Sequence, residues 1–294
     1  MHGLKAMTQF LAVTLNGLTL AALYFIVASG FTLVFGLMRN INLAHGSLYL
    51  LGGYVGFEAL KVFDNWFFAV AAAFITIALL GALLQLLVFR HLDGQELRQT
   101  LITLALSIIF ADLMLWYWGG QTYQISAPEM FQGPFRTGLD ILPAYPAMRL
   151  INVVIALGIG IGLWLFLTRT RIGMMIRAGV DDRGMLQASG VNVHLVFAVT
   201  FAVGAGLAGI AGVLGGTVQS ISPGEDIRIL LASLVVVIVG GMGSVVGSAV
   251  GAVVIGLAEQ YGLAYTPTYG ALYTFIILIV VLAVRPQGLF GKEV

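Results

Sequence analysis

Residues 195–218 read LVFAVTFAVGAGLAGIAGVLGGTV, an uncharged run with glycine at 204, 206, 209, 212, 215 and 216. Gly204, Gly206 and Gly209 match the G-x-G-x-x-G spacing of a dinucleotide-binding loop, and the choice between that loop and a membrane helix decides the fold. The fingerprint carries weight only after a strand, at the opening of a helix in a soluble unit. Here the glycines sit inside an apolar run longer than the ~20 residues that span a bilayer. Small residues along a helix surface let neighbouring backbones approach closely, so the stretch reads as a tightly packed membrane helix.

The rest of the chain agrees. Of its 294 residues 60% are hydrophobic and 9% charged, with a mean hydropathy of +1.01, against about 25% charged residues in ordinary globular domains. Eight hydrophobic blocks are legible, at about 9–36, 43–63, 66–89, 100–118, 150–168, 195–218, 228–257 and 271–285. The expected fold is all-α: one polytopic membrane bundle over 1–294, with eight to ten passes including broken or re-entrant helices. A net charge of +1 with scattered basic residues argues against nucleic acid. The absence of cysteine excludes disulfides and thiolate metal sites. The N-terminal apolar run continues through Phe35 without a small-residue cleavage site, so it reads as a first membrane segment.

Loop charges set the orientation. Arg169, Arg171, Arg177 and Arg183 make 168–194 the most basic connection, which the positive-inside rule places in the cytoplasm. Residues 119–149 then form an external loop, containing Pro128, Pro134, Pro143 and Pro146 and entered through Trp116, Tyr117 and Trp118. Parity requires block 228–257 to cross twice or to leave by the face it entered. Block 9–36 has room for one pass or nearly two.

Two blocks are interrupted, one between Gly36 and Gly46 by Arg39, Asn40, Asn42 and His45, the other at Gly240, Gly241, Met242, Gly243 and Ser244. Irregular backbone at membrane depth is tolerated where it is buried in protein or lines a wet cavity. Asn40, Asn42 and His45 can serve the freed backbone groups, with Asn40 or Asn42 as a helix cap, or they can meet a solute. Arg39 can reach a headgroup or a helix C-terminus. A half-helix starting near Ser244 offers N–H groups to a carboxylate, and carbonyls around Asn40 to an ammonium. Asp112, one turn from the aromatic segment, reads as reaching interfacial water, with a cavity-facing role as the alternative. Gln85 and Gln219 are cheap to bury once paired, and Glu259 closes a helix and faces water.

The cytoplasmic connection has its own grammar. Asp181 or Asp182 can cap a short helix, Gly190 can end it in a left-handed turn, and Asn192 leads into the next membrane helix. A short amphipathic helix there suggests a docking element for a partner protein. No P-loop, HExxH or G-x-S-x-G occurs in the 294 residues, so neither a nucleotide site nor a hydrolase centre is expected on this chain.

Four stretches in order, GLMRNINLAHGSLYLLGGY, IRAGVDDRGMLQASGVNVHLVFAVTFAVGAGLAGIAGVL, VVVIVGGMGSVVGSAVGAVVIGL and VRPQGLFG, resemble the permease subunits of ABC importers for branched-chain amino acids, in particular the smaller of the two partner permeases. The resemblance implies a non-catalytic permease in the bacterial inner membrane. Its implied partners are a second homologous permease, two cytoplasmic ATPase subunits that carry ATP and Mg, and a periplasmic or lipid-anchored binding protein. It implies ATPase coupling through Arg177, Asp181, Asp182, Gly190 and Asn192. It also implies a path beside Asn40, Asn42 and His45 and beside Gly240, Gly241, Met242, Gly243 and Ser244. The chain departs from the family at FRHLDGQELRQ, where an arginine- and proline-containing tract is usual, at Leu186, where a small residue is usual, and at Gly184 inside the short helix. Related systems carry urea, amides or aromatic acids. The alternative class is a secondary transporter or channel for a small polar solute, for which Asp112 is the one candidate ion or proton site.

Overall fold

The computed structural model describes residues 2–38, 40–92, 94–139 and 142–291. Arg39, Asp140 and Lys292 lie outside the described residues. Among those described, the chain forms helices α1 (His2–Met38), α2 (His45–Phe63), α3 (Trp66–Leu87) and α4 (Glu96–Trp118). A β-hairpin of β1 (Pro134–Leu139) and β2 (Leu142–Pro146) follows, then α5 (Ala147–Arg169), α6 (Arg171–Asp181), α7 (Arg183–Ala188) and α8 (Val193–Val218). The chain closes with α9 (Glu225–Gly240), α10 (Val245–Tyr265) and α11 (Gly270–Val284). Six helices (α1, α3, α4, α5, α8 and α10) are long and apolar enough to cross a membrane. The fold is therefore an all-α polytopic bundle.

The glycine run sits at its centre. α8 packs against α1, α2 and α3 at once, and backbones meet where glycines face each other. A Cβ built on Gly204 would lie 2.7 Å from the Gly30 carbonyl oxygen, and one on Gly209 2.9 Å from that of Ala73. On Gly212 it would collide with the Tyr49 carbonyl. In lipid the apolar side chains gain little by leaving solvent, so this close approach and the dispersion contacts it permits hold the helices together. α1 and α10 form the second such seam: Thr32 and Ser248 share a hydroxyl hydrogen bond of 2.5 Å, and Gly256 abuts Ala21.

Turn chemistry fixes the ends. Asp64 closes α2 in the left-handed region at φ +48°, and Asn65 caps α3 by accepting from the Phe68 N–H at 3.1 Å. The loops sort to two ends of the bundle. At one, Tyr123 and Ile221 form an antiparallel bridge, Trp66 Nε1 donates to Thr217 at 3.0 Å and Trp118 Nε1 to Glu58 at 3.1 Å. At the other, Gly36 lies beside Val180 and Gly243. These are the hairpin end and the Arg-rich end.

The two ambiguous blocks resolve. α1 is one unbroken helix starting at the hairpin end, where Asn16 Oδ1 accepts from Tyr145 at 2.9 Å and from Arg149 at 2.7 Å. Its Met7–Met38 span, about 48 Å at 1.5 Å per residue, exceeds the ~30 Å hydrocarbon core, so it tilts or protrudes. Block 228–257 splits at residues 241–244 into α9 and α10, which run in opposite senses. The proline-rich loop contains the β-hairpin, with Phe135 paired to Tyr145, where only an ordered loop was expected.

Candidate translocation site and coupling face

Between α1 and α2 the chain folds back into the bundle. Asn42 Oδ1 accepts from the Ala44 N–H at 3.1 Å, a tight local turn that feeds α2. The expected cap by an asparagine side chain is thus displaced: Ala44 occupies the N-cap with no side-chain bond. Asn40 joins the break to α4, its Nδ2 donating to the Glu96 carbonyl at 3.3 Å and its Oδ1 accepting from Thr100 at 2.8 Å. His45 Nε2 meets the Val27 carbonyl at 3.1 Å, which places the proton on Nε2, and its ring stands edge-on to Phe31. All three side chains are buried, and among the described residues Asn42 Nδ2 and His45 Nδ1 have no hydrogen-bond partner. Each such orphan costs about 1–3 kcal/mol, a burden that tends to mark functional positions.

This junction lies deep. Val27 is well inside the Met7–Met38 span, and Ser47 donates at 3.3 Å to the carbonyl of Ser107, midway along Glu96–Trp118. At the same level a second helix begins. Asp226, in the first turn of α9, accepts from Ser47 at 3.4 Å, and its carbonyl packs against Gly46. Two helix N-termini therefore converge within the bundle, α2 running toward the hairpin end and α9 toward the Arg-rich end. The positive ends of both dipoles favour the buried Asp226 carboxylate.

Residues 240–244 lie elsewhere. Gly241 at φ +106° and Gly243 at φ +84° make a turn that a side chain would strain, and Gly243 faces Gly36 at the Arg-rich end. Ser244 caps α10, accepting from the Gly247 N–H at 3.0 Å, and Met242 is exposed. Gly240 is pressed against Gly247. The closing VRPQGLFG clasps this break: the N–H groups of Leu289 and Phe290 donate to the carbonyls of Val239 and Gly240, each at 2.9 Å.

The basic connection forms two helices where one was expected. Thr170 caps α6 through the Gly173 N–H at 3.0 Å. Asp182 separates the helices and caps α7 through the Met185 N–H at 2.9 Å. Gly190 adopts φ +78°, and Asn192 caps α8 through the Leu195 N–H at 3.2 Å. Ile176 and Leu186 are buried against Leu37, Val193 and Phe197, so the unusual Leu186 fills the joint between this element and the membrane helices. Arg177, Asp181, Asp182, Gly190 and Asn192 all stay exposed, with Met174 and Met185 between them. Beside them an open cleft of 490 Å³ is lined by Leu86, Arg90, His91, Asn192, His194 and Leu195.

Several polar residues escaped the sequence reading. The parity of the crossings puts 220–228 on the external face, yet Glu225, Asp226 and Arg228 form the first turn of α9 at membrane depth. Two acids in SPGEDIR, directly after a glycine, carry the signature of a helix start. Glu259 is half-buried, accepts from Tyr24 at 2.8 Å, and is followed by another turn and a half of helix, so it neither closes α10 nor simply faces water. Gln219 accepts from Arg228 at 2.9 Å, whereas Gln85 is buried with Oε1 unpartnered among the described residues. Asp112 is exposed on the outer surface of α4.

A bundle of membrane helices with an irregular polar junction at its centre and a capped helical pair at its basic end is the architecture of a permease. The chain belongs to the family described as "Branched-chain amino acid transport system / permease component", whose model matches residues 13–284. It is 29% identical to the "High-affinity branched-chain amino acid transport system permease protein LivH" of Escherichia coli K12, over 96% of each chain. It is likewise 29% identical to the corresponding protein BraD of Pseudomonas aeruginosa, over 97% of this chain and 96% of that one. A "Probable branched-chain amino acid transport permease protein LivH" of Methanocaldococcus jannaschii is 26% identical over 91% of this chain and 88% of its own. No solved structure matches the chain.

Proposed function

We propose that this chain is the membrane subunit of an ATP-driven importer of branched-chain or similar small amino acids in the bacterial inner membrane. The family match over 13–284 carries the reading. In this reading the Arg-rich end is cytoplasmic and the hairpin end external. A second homologous permease completes the path, a periplasmic binding protein delivers the solute, and two ATPase subunits hold ATP and Mg, with no cofactor on this chain.

The element at 168–194 couples ATPase closure to the helices. Its exposed Arg177, Asp181, Asp182, Gly190 and Asn192 contact the ATPase, and its buried Ile176 and Leu186 pass displacement to α1 and α8. A coupler must meet its partner differently in two states, and a rigid, doubly capped element transmits that difference. The breaks at Asn40, Asn42 and His45 and at Gly240, Gly241, Met242, Gly243 and Ser244 border the moving path. ATP hydrolysis by the purified complex should rise several-fold when leucine-loaded binding protein is added. Hydrolysis indifferent to both permeases and to the binding protein would refute the reading. Isothermal titration of the permease pair alone should detect no tight leucine site.

A further inference from the structure

The 490 Å³ cleft at the Arg-rich end joins two kinds of surface. One wall is Leu86, with Arg90 and His91 from the short turn Phe89–Leu92 that follows α3; the other is Asn192, His194 and Leu195 at the start of α8. Both membrane spans have their limits here, Trp66–Leu87 ending and Val193–Val218 beginning. The leucines therefore lie at the edge of the hydrocarbon, with the arginine and the histidines around them at its boundary. Among the described residues no carboxylate lines the cleft.

Its polar rim is rich in uncommitted donors. His91 Nδ1 meets the Leu87 carbonyl at 3.1 Å. A carbonyl only accepts, so the proton sits on Nδ1 and Nε2 is left as an acceptor. Arg90 Nε donates to that nitrogen at 3.3 Å, and among the described residues the guanidinium makes no ion pair. Its terminal nitrogens keep their N–H groups, the fork that meets two phosphate oxygens in parallel. Asn192 spends Oδ1 on the Leu195 N–H, which leaves its amide N–H groups as donors, and the exposed His194 ring offers another.

The apolar side continues into the membrane. Ile75, Leu79, Leu83 and Leu87 follow one another at i, i+4 along α3, each more than half exposed, and Leu86 carries the ridge into the cleft. A soluble anion has no use for that ridge, and a soluble protein does not reach it. A phospholipid uses both parts. A cleft with a guanidinium and no carboxylate satisfies a phosphate but offers nothing to a choline or ethanolamine head, so it favours a headgroup of net negative charge.

We infer that this cleft binds an anionic phospholipid of the leaflet at the Arg-rich end, its phosphate on Arg90 with Asn192 and His194 and an acyl chain along the α3 leucines. Basic recesses between membrane helices on the cytoplasmic side suit such headgroups. The site is independent of the solute that the permease carries.

The test is native mass spectrometry of the full-length chain, delipidated in detergent and offered phosphatidylglycerol and phosphatidylcholine with the same acyl chains. Wild type should retain phosphatidylglycerol about fivefold better, the scale of one basic side chain at a membrane surface. Arg90 is exposed, so its variants should fold. Arg90→Gln should erase most of the preference, and Arg90→Lys should keep part of it, since a point charge still attracts phosphate. Arg98→Gln, which removes an equal, exposed charge at the same end but outside the cleft, should change nothing. No preference in wild type, an unchanged Arg90→Gln, or equal losses in Arg90→Gln and Arg98→Gln would overturn the site. Inorganic phosphate alone should not be retained; retention as firm as that of the lipid would make the cleft a plain anion site and overturn the lipid assignment. Loss of the lipid when a second permease or ATPase subunits are added would give the cleft to a protein partner and overturn it as well.

Discussion

α8 and α4 are similar membrane helices by composition and opposite ones by position. Their best windows have mean hydropathies of 2.1 and 1.8, yet 78% of the first is buried within the chain and 11% of the second. Apolarity sends both into the bilayer; small residues decide which reaches the centre. α8 carries glycines that let the backbones of α1, α2 and α3 close on it. α4 turns Leu104, Ile108, Ile109 and Leu113 outward and engages the bundle along one face only, through Thr100, Thr103, the Ser107 carbonyl and the apolar Ile102, Leu106, Phe110 and Met114.

This contrast is easiest to break at its tightest point. Gly209→Val should eliminate most folded protein, because the added atoms fall on the α3 backbone at Ala73, where no flexible side chain can yield; overpacking of this kind costs at least about 1–3 kcal/mol. Fluorescence-detected size exclusion should show at least about a fivefold loss of the monodisperse peak. Normal recovery would mean that α8 is not the packed centre.

Gly190→Val comes next. The position is open, with nothing near an added Cβ, so the cost is purely the left-handed backbone at φ +78°, about 1–2 kcal/mol or more for a β-branched residue. Expression should survive while ATP-driven uptake drops several-fold. A variant that assembles and transports normally would remove the element from the coupling role.

Smaller effects follow from the caps. Asp182→Ala and Asn192→Ala each delete one acceptor of a helix-start N–H, about 1 kcal/mol apiece, and should lower the unfolding midpoint by a few degrees at most. The smallest effect belongs to α4. Leu104→Ala, on the exposed face, should stay within about 0.5 kcal/mol for this subunit alone. A larger loss seen only in the assembled pair would identify α4 as the seam with the second permease.

How much of this the sequence disclosed follows the same division. Helices with uniform apolar character were legible to within a few residues, because hydropathy and length are local properties. So were the capped turns at Asp182 and Gly190, where one residue type satisfies one backbone need. The doubled coupling helix was missed because Asp182 reads equally as the start of one helix and as the boundary between two. Depth was not legible at all. Arg228 and Glu259 looked like loop and helix-end charges, since only the contacts of Ser47 with Asp226 and of Tyr24 with Glu259 place them inside the bundle. The Asn42 turn shows a similar limit: an asparagine two residues before a helix can cap it or fold the chain into it, and the pull of α4 on Asn40 and Leu43 decides which.

The importer account stands or falls on its energy source. In proteoliposomes holding both permeases, the ATPase subunits and the binding protein, leucine uptake should require hydrolysable ATP on the ATPase side and should persist when ionophores collapse every ion gradient. Uptake that continues without ATP and disappears with the ionophores would contradict it.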